Sequence, residues 1–300
     1  MSGSFTRSYP APAKINLYLR VTGQRADGYH LLDSLFAFAG IHDVIDVSES
    51  EDLTLNIDGP FANEISNNQN NLVLRAATGL ARIAGRQPCG AIRLSKRLPV
   101  ASGMGGGSSD AAATIRALSE LWDIQLSKKD LQTLALELGA DVPACLTGKA
   151  AFISGIGEII EMAPPIPAAS LVLVNPGIAV STPDVFRNRQ GPFSDTTPFS
   201  HTPKDAHELA SLLSQYGNDL RSPAEKLAPV ITEVLHAMTR LDGALFTEMT
   251  GSGATCFALF DDPATASRAA ISLRQKRPDW WIEATSLESD ITNMPANENS

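Results

Sequence analysis

Apolar and polar residues alternate over positions 15–21 (INLYLRV), placing Ile15, Leu17, Leu19 and Val21 on one side and Lys14, Asn16 and Tyr18 on the other. A period of two marks a strand with one side on a core; its polar side meets either a ligand or water. Positions 23–30 (GQRADGYH) form a polar turn into the apolar stretch 31–41, where Tyr29 and His30 either flank a ring-shaped ligand or close the turn. Short strand-like runs follow at 44–47 and 53–57. Leu72, Leu74, Ala77, Leu80 and Ile83 then recur at helical spacing behind Asn70 and Asn71, up to Gly85. Positions 91–95 alternate as a strand, and Ala112, Ile115, Leu118 and Trp122 mark one side of a helix. Ser127-Lys128-Lys129-Asp130 is a capping-box pattern opening a helix whose inner side is Leu131, Leu134, Ala135 and Leu138 and whose stop is Gly139. Asp141 lies just beyond, where an N-cap is a sufficient role for it.

In the second half, 150–162 reads as a hairpin turning at Gly155-Ile156-Gly157, and the prolines at 164, 165 and 167 mark a domain boundary. Positions 171–174 form a short buried strand. The stretch 187–207, rich in Pro, Ser and Thr, reads as a mobile excursion. Helical patterns at 207–216 and 228–241 precede a strand, a glycine turn and a strand over 245–260, then a helix near 264–275 and a strand near 281–285. The expected organisation is α+β in two domains, 1–163 and 164–290, with a disordered tail at 291–300.

The 300 residues are 43% hydrophobic and 19% charged, enough for substantial cores. A net charge of −9 argues against nucleic-acid or acidic-membrane partners, whose binding draws on a basic surface. Cys89, Cys145 and Cys256 have neither zinc-site nor disulfide-framework spacing. The N-terminal stretch lacks the apolar core of a signal peptide, and no run reaches membrane-spanning length, so the expected setting is the cytoplasm.

The candidate chemistry centres on positions 98–113, LPVASGMGGGSSDAAA, with four glycines within five positions. A strand precedes it and a helix follows. Glycines let bare backbone approach a ligand, and the free N–H groups and dipole of a helix start attract an anion. The pattern is neither a P-loop, since no lysine follows the glycines, nor a dinucleotide fingerprint, since Ser108 stands where its last glycine belongs. A capped turn is the plainer reading, but capping needs one glycine at most; phosphate binding is favoured.

Three segments in order resemble the GHMP small-molecule kinases: Pro12-Ala13-Lys14-Ile15-Asn16-Leu17, the stretch 99–109, and Thr250-Gly251-Ser252-Gly253-Ala254. Met104 replaces the usual leucine, a volume-conserving change. The G-Q-R-A-D-G-Y-H string and Gly139-Ala140-Asp141-Val142-Pro143 narrow the resemblance to members that use ATP to phosphorylate the 2-hydroxyl of a cytidine-diphosphate-linked methylerythritol in the non-mevalonate isoprenoid route. Alternatives are a homoserine- or mevalonate-kinase-like enzyme, and a non-catalytic binding protein of the same fold. The resemblance implies a ribosomal protein S5 domain 2-like N-terminal domain and a ferredoxin-like C-terminal domain, with the site in the cleft between them, acting as a monomer or homodimer.

By the same resemblance, Asp141 takes the proton of the attacking hydroxyl and Lys14 stabilises charge beside it. Pro99, Val100, Ala101, Ser102, Gly103, Met104, Gly105, Gly106, Gly107, Ser108 and Ser109 bind ATP, the part from Gly103 to Ser109 wrapping its phosphates and Ser108 or Ser109 helping to hold Mg²⁺, and Lys96 and Asn71 lie near the adenine. Tyr29 and Phe186 sandwich the cytosine with His30 at its edge. Asn16 and Thr182 contact the methylerythritol or diphosphate part, and Gly251, Ser252 and Gly253 complete the substrate side. Core packing for Phe186 and turn capping for His30 remain the plain alternatives.

Overall fold

A computed structural model of the chain describes residues 7–196, 199 and 201–296. The elements in order are β1 (Arg7–Gln24), β2 (His30–Ser48), β3 (Leu53–Asp58), α1 (Leu72–Ile83), β4 (Gly90–Ser95), α2 (Gly106–Leu121), α3 (Lys128–Leu138), α4 (Val142–Thr147), β5 (Ala151–Gly155), β6 (Ile159–Met162) and β7 (Ser170–Asn175). They continue with α5 (Thr182–Arg187), α6 (Ala206–Leu213), α7 (Arg221–Leu227), α8 (Val230–Met238), β8 (Phe246–Met249), β9 (Cys256–Phe260), α9 (Pro263–Lys276) and β10 (Trp281–Glu288). Among the described residues the strands form one sheet with the path β3-β4-β2-β10-β7-β9-β8, to which β1 is added on β2, and β5 with β6 beside β2.

The helices form where the sequence supplies both a stripe and a start. Asn71 caps α1 by accepting from the Val73 N–H at 2.9 Å, and Ser127 caps α3 by accepting from the Asp130 N–H at 3.1 Å. The apolar stripes of α1, α2 and α3 bury Leu80, Ile115 and Leu134 against Ile45, Ile92 and Leu94 of the sheet. A second core packs α7, α8 and α9 on β7, β9 and β10. A third belongs to neither half alone: Ile15, Leu17 and Leu35 meet Leu171, Leu173 and Phe257, with Leu209 and Leu213 of α6 closing it. Each large side chain so buried contributes about 1.5–3 kcal/mol.

β1 departs from strict alternation. Its pairing with β2 shifts between Asn16 and Tyr18, as a bulge does, so Tyr18 turns into the same core as Leu17 rather than joining Asn16. Lys14 and Asn16, which water could have covered, are both 5% exposed. The stretch 187–207, expected to be mobile, is tied down where it is described. The Ser194 N–H donates to Val21 O at 3.0 Å, and the Phe199 ring lies 5.4 Å from that of Tyr216. Of the expected disordered tail, 291–296 is docked: Ile291 is buried beside Phe36 and Phe38, and its N–H donates to Gly148 O at 2.8 Å. Positions 297–300 lie outside the described residues. Helices α5 and α7 were not legible as elements, being only six and seven residues long.

Candidate active site

The glycine loop joins β4 to α2, and its backbone explains its composition. Gly103 has φ +79° and Gly105, at the cap position of α2, has φ +62°, conformations that side chains resist. Space is as demanding as angle. A Cβ on Gly103 would stand 2.7 Å from the carbonyl oxygens of both Thr250 and Gly253, and one on Gly251 would stand 2.6 Å from Gly103 O. The two glycine-rich segments therefore touch backbone to backbone. The first intrahelical bond runs from the Ser109 N–H to Gly105 O at 2.9 Å, which leaves the first-turn amides of Gly106, Gly107 and Ser108 ahead of the helical ladder, as an anion site requires.

Opposite this turn stand Lys14 and Asp141. Lys14 Nζ donates to Asp141 Oδ1 at 3.1 Å and to Asn16 Oδ1 at 2.9 Å. The pair presses on the loop: a Cβ on Gly105 would lie 3.3 Å from Lys14 Cε and 3.6 Å from Asp141 Oδ2. Asp141 holds the cap position of α4, yet its side chain makes no capping bond; it turns to the lysine instead. Lys14 is almost wholly buried, whereas the Asp141 carboxylate is 47% exposed and so open to a reactant.

Beneath the first turn of α2 lies a charge cluster that periodicity could not show. Lys96 Nζ donates to Asp43 Oδ2 at 2.5 Å and to Asp110 Oδ2 at 2.8 Å, and all three side chains are at most 3% exposed. Asp43 Oδ1 also accepts from the N–H groups of Arg97 (2.5 Å) and Leu98 (2.8 Å), anchoring the loop's approach. Burial opposes the charge on Lys96, but attraction to Asp110 and Asp43 outweighs it and raises its pKa. Burial, with repulsion from Asp43, raises that of Asp110 despite Lys96. Lys96 lines the cleft, but its ammonium is held by these carboxylates rather than left for an adenine.

A cleft of about 1530 Å³ unites these parts; single-ligand pockets run roughly 300–1,000 Å³, so there is room for two substrates. Pro99 to Gly103, Gly105 to Ser108, Asn71, Asn16, Tyr29, His30, Thr182, Phe186, Gly251 and Ser252 all line it. Three expected residues do not. Met104 is fully buried in the shared core, and only its carbonyl takes part, accepting from the Lys14 N–H at 2.9 Å. Ser109 is 1% exposed and donates its hydroxyl proton to Pro12 O at 2.6 Å, so of the two serines expected to hold a metal ion Ser108 is the one that lines the cleft. Gly253 sits behind the turn, its N–H on Thr250 O at 3.1 Å.

At the other end, the ring stacked on Phe186 is that of His30, with centroids 5.0 Å apart and planes at 24°, while Tyr29 stands 62% exposed at the rim. Burial, then the nearby Arg189 cation, lowers the pKa of His30. Thr182 and Ser252 join their hydroxyls at 2.7 Å across the cleft wall. Ser34, Asp43 and Arg189 were not singled out in the sequence, and Asp110 was considered only as a cap for the turn. Asp110 alone carried a signal, standing directly after the loop serines.

A glycine-lined helix start faces a lysine–aspartate pair in a cleft with room for two substrates, and the class to which the chain belongs is that of the GHMP kinases. The sequence model of the GHMP kinases N terminal domain matches residues 71–149, and that of the GHMP kinases C terminal domain matches 200–279. A 4-diphosphocytidyl-2-C-methyl-D-erythritol kinase of Rhodospirillum rubrum is 50% identical over 286 residues, covering 95% of this chain and 94% of its own. A crystal structure of 4-(cytidine 5'-diphospho)-2C-methyl-D-erythritol kinase, 36% identical, superposes with a TM-score of 0.79 over 94% of this chain and 99% of the other. A homoserine kinase from Cytophaga hutchinsonii shares the fold at 16% identity, with a TM-score of 0.67 over 97% of this chain and 98% of its own. The chain belongs to the GHMP kinases, in the family of 4-diphosphocytidyl-2-C-methyl-D-erythritol kinases.

Proposed function

We propose that this kinase transfers the γ-phosphoryl group of ATP to the 2-hydroxyl of 4-diphosphocytidyl-2-C-methyl-D-erythritol, giving the 2-phosphate and ADP for isoprenoid precursor synthesis. The observation that carries the reading is the Lys14–Asp141 pair held against Gly105, because phosphoryl transfer depends chiefly on positioning and charge stabilisation.

Asp141 Oδ2 faces the loop and accepts the proton of the attacking hydroxyl as oxygen bonds to the γ-phosphorus and the bond to ADP breaks. Lys14, directed by Asn16 and Asp141, presents its remaining donor to the charge that builds on the transferred group. The amides of Gly106, Gly107 and Ser108 bind the polyphosphate. Among the described residues no group of three or more His, Cys, Asp or Glu side chains is arranged to hold a metal ion. Magnesium keeps several waters and binds through few protein oxygens plus substrate phosphates. That fits Ser108, which lines the cleft, as the residue that would hold the ion, and the ion would neutralise phosphate charge when bound. His30 and Phe186 receive the cytosine, with His30 neutral at pH 7, and Asn16 and Thr182 bind nearer the reacting alcohol. The protein works in the cytoplasm.

A coupled ADP-release assay against the cytidylyl alcohol, homoserine and mevalonate tests this. Turnover with the cytidylyl alcohol and little with the others is expected. Homoserine turnover without the cytidylyl alcohol overturns the assignment.

A further inference from the structure

Behind the lysine runs a series of buried hydrogen bonds of which the roles above use only the one from Lys14 to Asn16. Ser34 of β2 is 1% exposed, and its Oγ lies 2.6 Å from Tyr18 O and 2.8 Å from Asn16 Nδ2. A hydroxyl carries one proton and a carbonyl oxygen only accepts. The Ser34 proton therefore goes to Tyr18, and Ser34 can only accept from Asn16. That condition decides which way the Asn16 carboxamide faces: its NH₂ toward Ser34 and its oxygen toward Lys14 Nζ, 2.9 Å away. Reversed, it would set an NH₂ against the ammonium and an oxygen against a hydroxyl with no proton to give, both in a buried site where unmet polar groups are costly. The Asn16 main chain is pinned as well, its N–H donating to Thr250 Oγ1 at 2.8 Å. The pairing shift between Asn16 and Tyr18 is what brings the Tyr18 carbonyl and the Asn16 side chain to one hydroxyl.

We infer that Ser34 is a positioning residue for phosphoryl transfer: by accepting from Asn16 while donating to Tyr18, it fixes the Asn16 carboxamide that aims Lys14 at Asp141 and Gly105. This rests on the proposed role of Lys14. Ser34 itself lines the cleft, but its inferred effect passes through Asn16 and requires no contact with either substrate.

Ser34→Thr and Ser34→Val separate the hydroxyl from packing, since the two side chains have nearly the same shape and only one keeps the oxygen. Misplacing a catalytic group by an ångström costs up to about 100-fold. The expected result is a kcat about 10- to 30-fold lower for Ser34→Val than for Ser34→Thr, at equal melting temperature and with the KM for ATP unchanged within about twofold. Equal kcat for the two overturns the inference. Should the extra methyl inactivate both, Ser34→Ala, which cannot clash, decides: parental kcat overturns the inference, and reduced kcat at unchanged ATP affinity upholds it. The side-chain amide resonances of Asn16 give a readout independent of turnover. In the parent they are expected as one sharp pair that shifts or broadens in Ser34→Ala; an unchanged pair overturns the inference. If the parent itself fails to phosphorylate the cytidylyl alcohol, the functional proposal fails, while the Asn16 resonances still judge Ser34.

Discussion

Asp141 illustrates how a residue's neighbours select among its possible tasks. Its place before α4 suits an N-cap, but with Lys14 Nζ at 3.1 Å its carboxylate leaves the helix amides without a capping bond. Asp141→Asn keeps the shape and removes the proposed proton acceptor; kcat is expected to fall about 10²- to 10⁴-fold. ATP affinity measured calorimetrically should stay within about threefold. His30 carries one pH dependence of its own. Burial and then Arg189 lower its pKa below the ordinary 6.5, so the unfolded chain takes up this proton before the folded one does. Its contribution to stability is therefore present above pH 6.5 and lost as pH falls below it. The KM for the cytidylyl alcohol should rise over that same acid range while the KM for ATP does not. A His30→Gln enzyme should lose the difference in pH profiles run from 8 to 5.

Among elements, the glycine loop is held from two sides, and each side yields a test. At Gly103 a Cβ would stand 2.7 Å from two carbonyl oxygens at φ +79°, whereas at Gly85, with φ +65°, it would meet nothing within 4 Å. Gly85→Ala should cost only the left-handed backbone penalty, about 1–2 kcal/mol. Gly103→Ala should cost more and also raise the KM for ATP about tenfold or beyond, because the loop must move away from the Thr250–Gly253 turn. Urea titration and initial rates read the two effects. Beneath the loop, Lys96→Met would leave Asp43 and Asp110 facing each other in the interior, at an expected loss of about 3–5 kcal/mol by denaturant titration. The same elements mark how far the chain could be read in advance. Strands and helices with regular periods, such as β4, α1 and α3, were legible because local spacing produces them. The turn of Tyr18 into the core was not, because a bulge is set by the partner strand. Helices as short as α5 and α7 do not run long enough to display a period. The loop, Lys14 and Asp141 were recognisable as motifs; Asp43 and Ser34 were not, since their importance arises only when distant strands meet Lys96 and Asn16.

Across the whole molecule, the sheet and the shared core ignore the proline-marked boundary near 164. Leu287 and Glu288 of β10 pair with Ala39 and Phe38 of β2, and Ile15, Leu17 and Leu35 are covered by Leu171, Leu173 and Phe257. A fragment ending at residue 163 would expose that apolar surface and one side of β2. It is expected to show no cooperative urea transition by near-ultraviolet circular dichroism, whereas the full chain unfolds cooperatively. A fragment with a sharp transition of its own would show that the N-terminal half holds an independent core.

The contact of Gly103 with Gly251 also bears on how such enzymes are recombined. Gly251 leaves the room that the Gly103 backbone fills, and Gly103 leaves the room that the Thr250 and Gly253 backbones fill, so compatibility between a front half and a rear half depends in part on two positions about 150 residues apart in the chain. A chimaera that joins this protein's first half to another kinase's second half will inherit working nucleotide chemistry only from donors that bring a glycine to that meeting point. Any other donor would deform its new host's phosphate grip without altering a single residue in it.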